Sequence, residues 1–132
     1  MMQKTAIHKI KVLKTSDPFS QIQKELDNCI YRQEAEHELS FEKHILLCDD
    51  SYYVIFIMFG SRNRKEHFNS KGDCRTEISG NNNVNKLVNS LNKKISEYEK
   101  DHYFLIDVQF QKSNSAGFVY TAVFQRCNYV AK

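Results

Sequence analysis

The segment Tyr103-Phe104-Leu105-Ile106-Asp107-Val108-Gln109-Phe110-Gln111 decides how this chain is read. Phe104, Ile106, Val108 and Phe110 alternate with Asp107, Gln109 and Gln111. Successive side chains of a strand point to opposite faces, so this spacing predicts a strand with one apolar face. Lys112 to Gly117 supplies a turn. Phe118, Tyr120, Ala122 and Phe124 carry the apolar face onward toward Cys127. Such a hairpin must pack on something, and the preceding helix is the nearest partner. There Val84, Leu87, Val88, Leu91, Ile95 and Tyr98 recur at helical spacing as far as Lys100, after a turn and cap at Gly80 to Asn83.

The first half of the chain reads in the same order. Ile7 to Lys14 is a strand in which Ile10 and Val12 share a face, and its lysines suit an edge, where they discourage pairing with other chains. Ser16 or Asp17 can cap a helix, and Pro18 fits its first position, where the missing N–H costs nothing. Phe19, Ile22, Leu26, Cys29 and Ile30 form the stripe of that helix, which fades near Glu38. Phe41 to Cys48 is a strand, and Asp49 to Ser51 a turn. Tyr52 to Phe59 is apolar on both faces. Such a strand is either covered on both sides or turned toward a second subunit. A small domain has few helices to offer, so a homo-oligomer is expected, with Val54, Phe56 and Met58 at its interface.

A shift of 65 positions superposes the two halves: Ile22 falls on Leu87, Leu26 on Leu91, Ile30 on Ile95 and Phe59 on Phe124. Ile7 to Lys14 then falls on Gly72 to Ser79, and Cys74 to Ser79 alternates like a short strand. The expected fold is α+β: an antiparallel sheet built from two β-α-β-β units, with two helices packed on one face. Residues 1–132 form a single domain, with a pseudo-repeat at 7–60 and 72–127 and a basic loop, 61–71, between.

Hydrophobic content of 41% and aromatic content of 12% supply a core and argue against global disorder. A net charge of +3 is too mild to imply nucleic acid by itself. The N-terminus shows no apolar leader core, and the longest apolar run, Tyr52 to Phe59, is too short to span a bilayer. A cytoplasmic protein without membrane attachment is the expectation. Cys29, Cys48, Cys74 and Cys127 form no Cys-x-x-Cys pair, which favours reduced, structural thiols.

The richest candidate site is the basic loop. Arg62, Arg64 and Lys65 offer cationic donors to phosphate oxygens, and His67 or Phe68 can stack on a base. Lys71, Arg75 and Asn82 extend the set. The plain alternative is a solvated loop. Glu34, Glu36, His37, Glu38 and His44 make an acidic, histidine-bearing cluster, but it lacks convergent ligands from a second element, so no metal site is expected. Cys74 stands beside Arg75, yet no nucleophile, base and orienter assemble from the sequence. Neither a glycine-rich phosphate loop nor a Gly-x-Ser-x-Gly elbow occurs. No enzyme activity and no cofactor are expected.

The strand order, with Ile106-Asp107-Val108-Gln109 and Val119 to Phe124, resembles a family of very small sporulation-associated proteins of Gram-positive bacteria. The likeness covers about a third of the chain, and the middle loop has no counterpart. It implies a small non-enzymatic accessory protein and carries no functional residues. In size and composition the chain is also similar to small phage anti-defence proteins, such as nucleotide-sequestering Thoeris antagonists and anti-CRISPR proteins. Two functions are therefore expected in competition. One is an oligomeric binding protein that captures a nucleotide signal or nucleic acid through the basic loop. The other is an anti-CRISPR-type inhibitor or adaptor that docks on a larger protein partner.

Overall fold

The computed structural model describes residues 5–14, 17–37, 39–61, 74–113 and 117–126. The elements run β1 (Thr5–Leu13), α1 (Pro18–Glu36), β2 (Leu39–Cys48), β3 (Tyr52–Ser61), β4 (Cys74–Asn81), α2 (Val84–Lys100), β5 (Tyr103–Ser113) and β6 (Gly117–Arg126). The strands form two antiparallel three-stranded sheets, ordered β1-β3-β2 and β4-β6-β5. Each unit thus places its last strand in the middle.

Local chemistry fixes the helix ends. The Ser20 N–H donates to Asp17 Oδ1 at 3.4 Å, with Pro18 in the first turn. The Lys86 N–H donates to Asn83 Oδ1 at 3.1 Å and starts α2. Beyond Lys100, His102 adopts a left-handed φ of 67°, the turn that commonly ends a helix. Gly117 has φ 72°, and a Cβ there would lie 2.7 Å from the Asn82 backbone, so glycine alone fits where β6 begins against the β4–α2 turn.

Sequence and structure agree on the α+β class, the two β-α-β-β units and the antiparallel pairing. The expected single sheet is replaced by two, and the helices do not share one face. Ile22, Leu26 and Ile30 of α1 pack with Val12, Ile55, Ile57 and Phe59 of the first sheet, and also with Val119 and Val123 of β6. Leu87 and Leu91 of α2 pack with Tyr120, Ala122 and Phe124, on the opposite side of β6. The helices therefore flank the second sheet. The reason lies in β6, whose run Val119 to Gln125 is buried on both faces.

The alternation in β5 is broken as well. Register shifts between Leu105 and Asp107, opposite β6. The bulge turns Ile106 toward α1 and the first sheet, while Leu105 joins Val108 beside α2. A matching shift occurs in β2 between Phe41 and Lys43. The two bulges lie where the borders of the sheets meet. There the His44 N–H donates to Asp107 Oδ2 at 2.7 Å, and Gln111 Nε2 donates to the Leu46 carbonyl at 3.3 Å.

Candidate functional site

Among the described residues nothing covers the outer face of the first sheet. β3 alternates buried Tyr53, Ile55, Ile57 and Phe59, turned toward α1, with half-buried Tyr52, Val54, Phe56 and Met58, turned away. Pairing places Ile7 and Lys43 beside Met58, Lys9 and Ile45 beside Phe56, and Lys11 and Leu47 beside Val54. Ile7 is 65% exposed, Leu13 57%, Ile45 44% and Leu47 45%, so an apolar field with lysines among its edge positions stands open. Shallow grooves flank Phe56. One of about 290 Å³ is lined by Ile7, Lys43, Ile45 and Met58; another of about 450 Å³ is lined by Lys9, Leu47, Tyr52 and Val54. The Lys11 ammonium sits 4.2 Å from the Tyr52 ring centroid.

A second, polar site lies along the outer border of β4. The strand is at the edge of its sheet, and α1 supplies side chains to its backbone. Gln23 Nε2 donates to the Thr76 carbonyl at 2.7 Å. The Thr76 hydroxyl donates to Asp27 Oδ1 at 2.8 Å, and the Thr76 N–H also holds that carboxylate. On the other face of β4, the Tyr98 hydroxyl of α2 donates to Glu77 Oε2 at 2.6 Å. Between these elements opens a cleft of about 440 Å³ lined by Gln23, Asp27, Asn28, Tyr31, Arg75 and Tyr98. The Arg75 guanidinium lies 4.8 Å from the Tyr103 ring centroid, and its side chain remains exposed.

Burial pushes Asp27 up to about 6 from 3.8, against the opposing pull of the Thr76 hydrogen bonds and Arg75. Burial and then the Glu77 hydrogen bond raise Tyr98. Ionised Asp27 therefore works against the fold: stability is greatest while the group is protonated and falls as pH rises from about 4 to about 6. Asp27→Asn keeps an acceptor for the Thr76 hydroxyl and sheds the charge. It should raise stability at about pH 7.5 by roughly 1–2 kcal/mol, allowing for the cleft's access to water, and should have little effect below about pH 4. Thermal melts of both proteins across this range check the sign.

A third constellation is His44, Asp107 and Thr121. His44 Nδ1 lies 2.8 Å from Asp107 Oδ2, and Nε2 contacts Thr121 Oγ1. Nδ1–H donating to the carboxylate leaves Nε2 to accept the hydroxyl proton, which satisfies every group. The order mimics an Asp-His-hydroxyl relay. But His44 and Thr121 are each 1% exposed, so no substrate reaches the hydroxyl. The trio fastens β2 of the first sheet to β5 and β6 of the second.

Of the residues expected to bind a ligand, Arg62, Arg64, Lys65, His67, Phe68 and Lys71 lie outside the described residues. Arg75 lines the polar cleft. Asn82 does not join it: it follows β4 at the end far from Arg75, about 23 Å away at ~3.3 Å per residue. Val54, Phe56 and Met58 do lie together, on the open face. Of the acidic cluster Glu38 lies outside the described residues, and the others disperse. Glu34 is buried and accepts the Phe41 N–H at 3.0 Å and the Cys74 thiol at 3.6 Å, while Glu36 and His37 are exposed and His44 enters the buried trio. Among the described residues no group of three or more His, Cys, Asp or Glu gathers as a metal site, and no helix is long and apolar enough to cross a membrane. Cys29 and Cys48 are free thiols, both raised in pKa by burial, and Cys127 lies outside the described residues.

Sequence reasoning missed Gln23, Asp27, Asn28 and Tyr31. A carboxylate beside the buried Leu26, on the flank of an apolar stripe, was the available signal. No family model matches the chain, and neither a curated protein nor a solved structure does.

Proposed function

We propose that the chain is a non-enzymatic binding protein that works as a homo-oligomer and captures a phosphate-bearing ligand. Copies join through the outer face of the first sheet. Arg75 and the basic segment before it take the phosphate. The observation that carries this reading is the open apolar face around Phe56. In the second unit the matching positions, Val119, Thr121 and Val123, lie buried, packed on α1 and β2. In the first unit nothing among the described residues does this work. A standard stable interface buries ~800 Å² per partner, a scale that a face three strands wide can reach. A two-fold face-to-face pair is self-complementary and closes, which a head-to-tail contact need not do. The lysine stems can lie along the apolar surface with their ammonium groups in water.

Phosphate capture draws support from Arg75, an exposed guanidinium steadied over Tyr103 at the mouth of a polar cleft. Native mass spectrometry of the full chain tests both halves. Dimers or higher assemblies, with bound mass that phosphate-bearing compounds displace, are the expected result. Monomers at micromolar concentration would remove the oligomer, and indifference to every phosphate compound would remove the ligand.

One observation favours the rival reading of an inhibitor or adaptor. The grooves beside Phe56 are apolar with lysines at their margins, a surface that also suits an amphipathic acidic segment of a larger protein. A monomer that binds one host protein, and loses it on Phe56→Asp, would favour that reading.

A further inference from the structure

The cleft along β4 carries charge of both signs on opposite walls. Thr76 turns toward α1, where it holds Asp27, and Arg75 turns the other way, over Tyr103. We infer that the Asp27 wall reads a guanine ring, so that the ligand of this cleft is a guanine nucleotide with its phosphate end toward Arg75. The inference rests on the proposed capture of phosphate by Arg75 and the basic segment before it, and adds the base that accompanies the phosphate.

A carboxylate close to a phosphate site weakens binding unless the ligand brings donors to meet it. Ionised, Asp27 only accepts hydrogen bonds, with about four lone-pair positions on its two oxygens. The Thr76 hydroxyl takes one of them at Oδ1, 2.8 Å away, and fixes the direction of the group. What suits such a wall is a flat edge with N–H groups side by side. Guanine has that edge: N1–H and the N2 amino group meet a carboxylate in paired bonds. Adenine sets the acceptor N1 beside its amino group, and cytosine sets N3 beside its own. Uracil flanks a single N–H with two carbonyls. Each of these presses a lone pair against the carboxylate. Asp27 is thus a specificity-determining residue.

The rest of the cleft suits the same ligand. Tyr31 follows Asp27 by one helical turn, is 56% exposed and presents a ring on which a base can stack. Asn28, at the same rim, offers an amide donor and an acceptor to the ribose hydroxyls. The volume of about 440 Å³ falls within the ~300–1,000 Å³ typical of small-molecule sites. Burial raises Asp27 to about 6, which still leaves it ionised at about pH 7.5. A carboxylate withdrawn from water discriminates more sharply between a ligand that satisfies it and one that does not.

The test is calorimetric titration of the full chain at about pH 7.5 and fixed salt with GMP, IMP, AMP and ribose 5-phosphate, for the wild type, Asp27→Asn and Arg75→Gln. GMP should bind the wild type about tenfold or more tightly than AMP, with IMP, which lacks the N2 amino group, in between. Asp27→Asn keeps a carbonyl on the Thr76 hydroxyl and turns an amide N–H toward the cleft. That donor suits adenine N1 and opposes the guanine donors, so the order of GMP and AMP should reverse. The reversal is a gain of AMP affinity, which an unfolded variant cannot show. Arg75→Gln should weaken all four compounds by about tenfold and leave the ratio of GMP to AMP unchanged. If GMP and AMP bind the wild type equally, or Asp27→Asn leaves their ratio unchanged, the guanine reading is overturned while phosphate capture stands. If IMP binds as tightly as GMP, the paired contact is overturned, and if ribose 5-phosphate does, no base is read. If none of the four compounds binds, both the inference and the capture of phosphate fail.

Discussion

Replacing His44 with alanine should lower the unfolding free energy by about 3 kcal/mol. The ring is enclosed, bonded on one side to Asp107 and on the other to Thr121. Its loss leaves the Thr121 hydroxyl buried without its partner, and opens a cavity between the sheets. Asp107 suffers less, because it keeps the His44 backbone N–H and is partly solvated. Asp107→Asn, which preserves shape, should therefore cost less than His44→Ala. Urea unfolding reads both. The midpoint should fall with little change in slope, since the surface exposed on unfolding is nearly the same. A loss under about 1 kcal/mol for His44→Ala would show that the trio does not hold the sheets together.

Phe56→Asp should weaken the proposed self-association by about 100-fold and leave the fold intact. Phe56 occupies the middle of the open face, between Lys9 and Ile45, with a groove on either side. In a two-fold pair every substitution acts twice, and two buried carboxylates would have to be desolvated. Because the side chain points away from α1, the circular dichroism spectrum should not change. Ile55→Asp is the contrasting control: that position is fully buried, and the substitution should unfold the chain. Raising salt should strengthen the assembly by screening Lys9, Lys11 and Lys43. Light scattering that finds the same oligomeric mass for the wild type and Phe56→Asp would place the interface elsewhere, and a monomeric wild type would remove the assembly.

Much of the fold was legible because its elements rest on local rules. The stripe of α2, the caps at Asp17 and Asn83 and the apolar run of β3 each involve residues a few positions apart. The division into two sheets was not legible, since it depends on β6 being buried from both sides. Val119, Thr121 and Val123 read as the lesser face of a hairpin, and nothing local says that α1 will cover them. The β5 bulge has no sequence mark either, because Leu105 and Ile106 are both apolar and either can face α2. The trio joins His44 to residues 63 and 77 positions away, beyond the reach of any spacing rule. Of the candidate sites, Val54, Phe56 and Met58 followed from period-two alternation. The cleft did not, because Asp27 becomes unusual only when Thr76 is laid against it.

The way α1 attends to β4 has a further consequence. Asp107 and Gln111 of β5 bond the backbone of β2 at His44 and Leu46, and Gln23 and Asp27 stand in for a neighbouring strand at Thr76. Among the described strands this leaves β1 with a long border of open amides and carbonyls, nine residues in unbroken register with β3. Any templated stacking of this protein into fibrils has its entry there, and the alternating ammonium groups of Lys9 and Lys11 are what stand guard over it.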